Sequence, residues 1–251
     1  MSSPDTFEDR ASIAEAPAFS VRADASLPIR SFVRRESRIT RAQQRAFAEL
    51  WSRFGIDADV AQLQPEQIFN RYGRRVLEIG FGDGESLAAM AAADPSTDYL
   101  GIEVHRPGIG HLLLRAAELQ LDNLRVLCAD AATVIERQLP DACFDRIQIF
   151  FPDPWPKARH HKRRLIQSPF ITLLARKMRP AGQLLIATDC ADYAHAILDA
   201  LKTTPELHNT VDGDGDGFAP RPAERLTTRF ERRGQQLGHA VWDLAFVRRT
   251  A

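Results

Sequence analysis

Five short apolar runs recur along the chain: RRVLEIG, DYLGIEV, LRVLCAD, DRIQIFF and GQLLIATD. Most of them end in an acid or a glycine-bearing turn. Between them lie stretches with helical spacing, namely ESLAAMAAAD, RPGIGHLLLRAAELQL, DAATVIERQL, and SPFITLLARKM followed by DYAHAILDALK. Strands that alternate with helices point to βαβ units, and hence to an α/β, doubly wound, mostly parallel sheet with helices on both faces. The final run, HAVWDLAFVRR, alternates more than the inner ones, which is the pattern of an added antiparallel last strand. Ligands of such sheets bind beyond the carboxyl ends of the strands. That rule singles out Glu78, Gly80, Glu103, Asp130, Asp153 and Asp189.

Upstream of the first run, TRAQQRAFAELWSRF has a threonine N-cap and apolar spacing suited to an amphipathic helix. Residues 1–28 are rich in Ser, Pro, Ala and acids without periodicity and read as a disordered tail. The expected organisation is therefore that tail and one domain over 29–251. Within the domain, 29–72 form a basic extension with helices and 73–251 the Rossmann-like core.

At 251 residues and 44% apolar content the chain can bury a full core. No apolar stretch approaches the roughly 18 residues of a membrane span, and the N-terminus lacks a secretory pattern, so a cytoplasmic protein with no membrane partner is expected. Cys128, Cys143 and Cys190 are odd in number and lack metal spacing, so neither a disulfide framework nor a metal site is expected. The segment 212–217 matches half of a calcium loop, but its twelfth position is Ala223 rather than a bidentate glutamate, and it reads as a turn. Thirty-three acidic residues balance thirty-three basic ones. Their distribution is uneven: residues 30–45, 157–164 and 221–233 carry dense positive charge, the footprint of a nucleic-acid partner if the fold gathers them.

Glu78-Ile79-Gly80-Phe81-Gly82-Asp83-Gly84 follows the first strand and opens a helix. Its glycines let a ligand approach the backbone. A dinucleotide fingerprint would continue to a third spaced glycine, but Glu85 stands there and no basic residue meets a phosphate. S-adenosylmethionine suits the loop better, because it carries no phosphate. The helix N-terminus can receive its carboxylate, Glu78 its ammonium, Glu103 both ribose hydroxyls and Asp130 the adenine amino group. Each acid taken alone could equally be a helix cap; three at successive strand ends favour the ligand reading.

The block FFPDPWPKARHHKRR (150–164) sets a carboxylate between prolines, directly before five cations. With EIGFGDG (78–84), GIEVHRPGIG (101–110), ATD (187–189), PRPAERLTTRFERRGQQLGH (220–239) and RSFVRRESRITRAQQ, it makes the chain resemble the class I methyltransferases. More narrowly, it resembles the bacterial tRNA (guanine-N7-)-methyltransferases of the TrmB type, over about residues 30–248. The resemblance implies the seven-stranded class I sheet, S-adenosylmethionine as methyl donor with S-adenosylhomocysteine as product, and the variable-loop guanosine at position 46 of tRNA as target. It implies cofactor contacts at Glu78, Glu103, Asp130 and Asp153, with the loop glycines Gly80, Gly82 and Gly84, and a catalytic Asp153. It also implies substrate contacts at Lys157, Asp189, Thr228, Arg229, Phe230 and Glu231, and RNA contacts along Arg159, His160, His161, Lys162, Arg163 and Arg164.

Bland readings stand beside these. Asp189 could cap a helix, and Thr228-x-x-Glu231 has the capping-box pattern, each worth about 1 kcal/mol. Trp155 is either core or a stacking platform for a base. KARHHKRR could be a solvated face, with His160 and His161 on it. Two other functions compete: RNA methylation at an exocyclic amine, since DPW superficially resembles the motif of amine methylation, and a non-catalytic RNA-binding module. Oligomeric state stays open between monomer and homodimer.

Overall fold

The computed structural model describes residues 39–211, 215–223, 225, 227, 231 and 240–250. The tail expected over 1–28, the arginines at 30–38, residues 212–214, and Thr228, Arg229 and Phe230 lie outside them.

In chain order the strands are β1 (Gly55–Ile56), β2 (Arg74–Ile79), β3 (Thr97–Glu103), β4 (Leu124–Cys128), β5 (Phe144–Phe150), β6 (Met178–Thr188), β7 (Leu207–Asn209) and β8 (Trp242–Arg248). They form one sheet ordered β1-β4-β3-β2-β5-β6-β8-β7. Pairing is parallel from β1 to β6, while β8 runs antiparallel between β6 and β7. The five apolar runs are thus β2 to β6, and the alternating last run is β8. The seven strands expected become eight because Gly55–Ile56 adds a two-residue edge beside β4. Neither that edge nor β7 is long enough to show a period in sequence.

Helices α1 (Arg41–Phe54), α3 (Glu85–Ala93) and α4 (Arg106–Glu118) supply one apolar layer, in which Phe47, Phe54, Leu87, Ile109 and Leu112 meet Val76, Tyr99 and Val126 of the sheet. Helices α5 (Ala131–Arg137), α6 (Ser168–Lys177) and α7 (Ala191–Lys202) supply the other, where Ile135, Ile171, Leu174 and Ile197 meet Leu77, Ile79, Ile147 and Ile186. Adjacent Val76 and Leu77 enter opposite layers, as the two-residue period of a strand requires. A short α2 (Pro65–Phe69) precedes β2.

Charges at the amino-terminal edge of the sheet are spent on the fold. Buried Arg75 donates to Glu66 at 2.7 Å, Arg71 to fully buried Asp98 at 2.6 Å, Lys177 to Asp141 at 2.7 Å and Arg179 to Asp145 at 2.9 Å. The carboxyl-terminal edge carries acids with fewer such cations, and the ligand rule makes it the functional edge.

The expected Thr40 cap is present as a full capping box: Gln43 N–H donates to Thr40 Oγ1 and Thr40 N–H to Gln43 Oε1. The other end of the Gln43 amide donates to the Pro107 carbonyl at 2.9 Å, joining α1 to the start of α4. There α4 presses on the glycine loop, and a Cβ on Gly108 would lie 1.9 Å from the Gly82 oxygen. Gly108→Ala therefore forces backbone apart. It should destabilise the protein by about 1–3 kcal/mol and weaken ligand binding at the loop, measured as a lower Tm and a smaller ligand-induced rise in Tm.

Candidate active site

Read along the sheet in the order β4, β3, β2, β5, β6, the carboxyl ends present Asp130, Glu103, Glu78, Asp153 and Asp189 on five consecutive strands. Strand order reverses between β2 and β5, so the crevice of a doubly wound sheet opens between Glu78 and Asp153.

The loop after β2 bends through Gly80, Gly82 and Gly84, with φ of 73°, 63° and 76°. Side chains at Gly80 and Gly82 would meet nothing within 4 Å, so the backbone there faces open space. Glu103 holds this loop: its Oε2 accepts from Gly82 N–H at 2.9 Å, and its Oε1 from the Val104 and His105 amides at 2.6 and 2.9 Å. Oε2, with a single partner, keeps acceptor capacity for hydroxyls. Glu78 is buried and accepts from Gln148 Nε2 at 2.7 Å. Burial raises its pKa to about 7 against the pull of the Gln148 hydrogen bond, and the charges of Glu103 and Asp83 add to the rise. A buried carboxylate in this state gains most from a cationic partner. The loop offers open space over Gly80 and Gly82, and acids but no cation, while its Gly80, Gly82 and Gly84 amides are already bonded to Ile102, Glu103 and Phe81. This fits the ammonium and diol of S-adenosylmethionine and not a pyrophosphate.

Asp130 takes the capping role weighed for it, accepting from Ala132 N–H at 3.3 Å and from the Thr133 hydroxyl at 3.0 Å. Asp189 does not cap α7; the N-cap is Cys190, and half-buried Asp189 precedes it at the end of β6. Asp153 is exposed on the loop after β5. That loop is strained: Phe151 and Trp155, neither a glycine, have φ of 53° and 45°. Phe150 is core, as expected of one phenylalanine of the pair. Trp155 is half-buried and already stacked, with the Arg163 guanidinium 5.0 Å from its ring centre and His160 edge-on at 5.8 Å.

The basic run folds as a 3₁₀ helix over Ala158–Arg163, and its six residues are spent differently. Arg159 and Lys162 are exposed, as is Lys157 just before them. Arg163 covers Trp155, and the pKa of His160 is lowered by desolvation and by the charges of Arg159, Arg163, Lys157 and Lys162. His161 is half-buried beside Arg164. Arg164 departs from the expected RNA-facing row. It is buried, because its guanidinium finds partners on the protein in Pro154, Asp192 and the Tyr193 ring.

Glu231 is likewise buried. It grips Arg225 through two hydrogen bonds of 2.8 and 2.9 Å, Arg225 also donates to Asp243 at 3.0 Å, and the guanidinium lies over the Phe150 and Phe151 rings. Its carboxylate serves an ion cluster, while Thr228, the other half of the capping-box pattern, lies outside the described residues. Sequence reasoning missed Gln148 and Arg225. Gln148 had a usable signal, a polar residue inside the apolar run DRIQIFF; Arg225 had none, because its partners are 6 and 18 residues away.

The family model described as "Putative methyltransferase" matches residues 73–244. A protein of Alkalilimnicola ehrlichii named tRNA (guanine-N(7)-)-methyltransferase is 52% identical over 233 residues, covering 91% of this chain and 97% of its own length. A protein of the same name from Nitrosococcus oceani is 53% identical over 221 residues, covering 88% and 91%. Among solved structures, the 16S rRNA methyltransferase KamB aligns with a TM-score of 0.54 at 18% identity, over 74% of this chain and 92% of that one, a likeness of fold.

The raised Glu78 pKa has a signed consequence. The folded chain binds a proton that the unfolded chain has lost, so this group's contribution to stability falls as pH rises from about 4.5 to about 7. In Glu78→Gln that loss disappears. The difference in Tm, variant minus wild type, should grow between pH 5 and pH 8 in ligand-free protein, while affinity for S-adenosylmethionine falls about tenfold or more.

Proposed function

This chain belongs to the tRNA (guanine-N7-)-methyltransferase family, and we propose that it transfers a methyl group from S-adenosylmethionine to N7 of a guanine in tRNA, the variable-loop guanosine at position 46. The observation that carries this reading is the row of five acids along consecutive strand ends, flanking the switch point and bordered on one side by the cations of the 3₁₀ helix. Bound S-adenosylmethionine supplies an electrophilic methyl on sulfur, leaving S-adenosylhomocysteine.

The chain's residues divide the remaining work. Glu78 receives the amino-acid ammonium, Glu103 the ribose hydroxyls and Asp130 the adenine amino group, while the N-terminus of α3 receives the carboxylate. Guanine N7 already holds an in-plane lone pair and no proton, so no side chain has to remove one. Orientation then dominates, an effect on the order of 7 kcal/mol or more. Asp153 accepts from the N1 and amino edge of the base and gains interaction as the ring becomes cationic. Lys157 and Asp189 complete the substrate contacts, together with Thr228, Arg229 and Phe230. Glu231 acts through Arg225. Arg159 and Lys162 neutralise phosphates, which positions the strand without reading it. No helix among the described residues is long and apolar enough to cross a membrane, and a tRNA substrate fits action in the cytoplasm.

The test uses unmodified tRNA and S-adenosylmethionine, followed by cleavage chemistry selective for N7-methylguanosine. Scission at the variable loop is expected; methyl incorporation without scission would mean an exocyclic amine, and RNA binding without incorporation a non-catalytic module. Asp153→Ala should lower kcat about 100-fold or more with Tm unchanged, and a wild-type rate would remove Asp153 from the mechanism. Replacing Arg159 and Lys162 together by Ala should weaken tRNA binding and flatten the slope of log K against log salt by about 1 for each phosphate no longer neutralised, read from titrations between low and physiological salt.

A further inference from the structure

The strained loop between β5 and the 3₁₀ helix is pinned at two points. At its start, Phe151 N–H donates to the Ala187 carbonyl at the end of β6, at 2.8 Å. Near its end, the Pro154 carbonyl, one residue after Asp153 and one before Trp155, accepts from Arg164 Nε at 2.9 Å. Residues held at left-handed φ persist only where the surroundings over-determine them, and Phe151 and Trp155 are both such residues.

Arg164 is built for that task and not for solvent. Its side chain is 6% exposed. The guanidinium lies 4.7 Å from the centre of the buried Tyr193 ring, and its NH2 group donates to Asp192 Oδ2 at 2.5 Å and sits 3.1 Å from His161 Nε2. Tyr193 is fixed in turn, because its hydroxyl accepts from Ile166 N–H at 3.0 Å. One side chain therefore joins the loop bearing Asp153, the end of the 3₁₀ helix and the first turn of α7, which begins just after Asp189.

We propose that Arg164 is a positioning residue for Asp153: by holding the Pro154 carbonyl against the start of α7 it sets the pose of the acidic loop, and it makes no contact with RNA. This rests on the methyl-transfer reading for its kinetic arm only. A planar fork that stacks on Tyr193 while donating to a carbonyl and a carboxylate in different directions cannot be replaced by the point charge of lysine. A phosphate contact can.

Arg164→Lys consequently separates the two roles. Expected in this variant are a kcat lowered about tenfold or more, a KM for tRNA and a salt slope within about twofold of wild type, and faster hydrogen exchange at the Phe151 amide. Asp192→Asn loosens the same junction from a side chain that is 68% exposed, so it should fold normally and show a smaller loss of kcat with the same unchanged KM. Wild-type kcat in both variants would overturn the proposal. So would a raised KM and flattened salt slope in Arg164→Lys matching the Arg159 and Lys162 double variant. If wild-type protein left tRNA unmethylated, the functional reading would fail instead, and the Phe151 exchange rate would still decide the role of Arg164: unchanged exchange in Arg164→Lys and Asp192→Asn rejects it.

Discussion

The parallel register of β2 between β3 and β5 decides where every other functional group can stand. It sets Glu78 opposite Gly101 on one side and Gln148 on the other. A slip of one residue would turn Glu78 into the opposite apolar layer, where a carboxylate finds no donor. In register, Gln148 meets the carboxylate, and Gly101 leaves room that a side chain would take from Phe81 and Leu87, whose atoms lie 2.7–2.8 Å from where its Cβ would be. The next turn of chain is then free to open as the glycine loop.

The two edges of the sheet show what the fold does with charge. At the amino-terminal edge, Glu66, Asp98, Asp141 and Asp145 each meet a cation, and the pairs tie neighbouring elements and loops together. At the carboxyl-terminal edge, Glu78 is buried beside an amide whose own oxygen has no hydrogen-bond partner among the described residues. That arrangement costs stability in the absence of a ligand. The cost is of the kind that sites carry, and the ammonium proposed to bind at Glu78 would offset it.

The arginines divide in a similar way. In sequence, KARHHKRR is one undifferentiated run of charge. In the fold, Arg163 caps a tryptophan and Arg164 is drawn inside to brace the acidic loop, which leaves Lys157, Arg159 and Lys162 to face outward. Arg225, a separate arginine held by Glu231 and Asp243, presses on Phe150 and Phe151 at the start of the same loop. Asp153, the residue proposed to address the base, thus sits on a short strained segment braced from more than one side by Arg164 and Arg225.

Much of this was legible without coordinates. Apolar runs with acid or glycine endings located β2 to β6, helical spacing and a threonine cap located α1 and α3 to α7 but not the short α2 or the 3₁₀ helix, and the absence of a cation from the glycine loop narrowed the ligand, because each of these signals is local in the chain. The two-residue β1 and three-residue β7 are too short to carry a period, so only pairing with β4 and β8 defines them. Burial of Arg164 and Glu231, the Gln148 contact to Glu78, and the choice of Cys190 over Asp189 as a helix cap also came from tertiary structure alone. Each depends on which distant group fills the space beside a side chain, and a charge reads the same in sequence whether solvent or another part of the fold receives it.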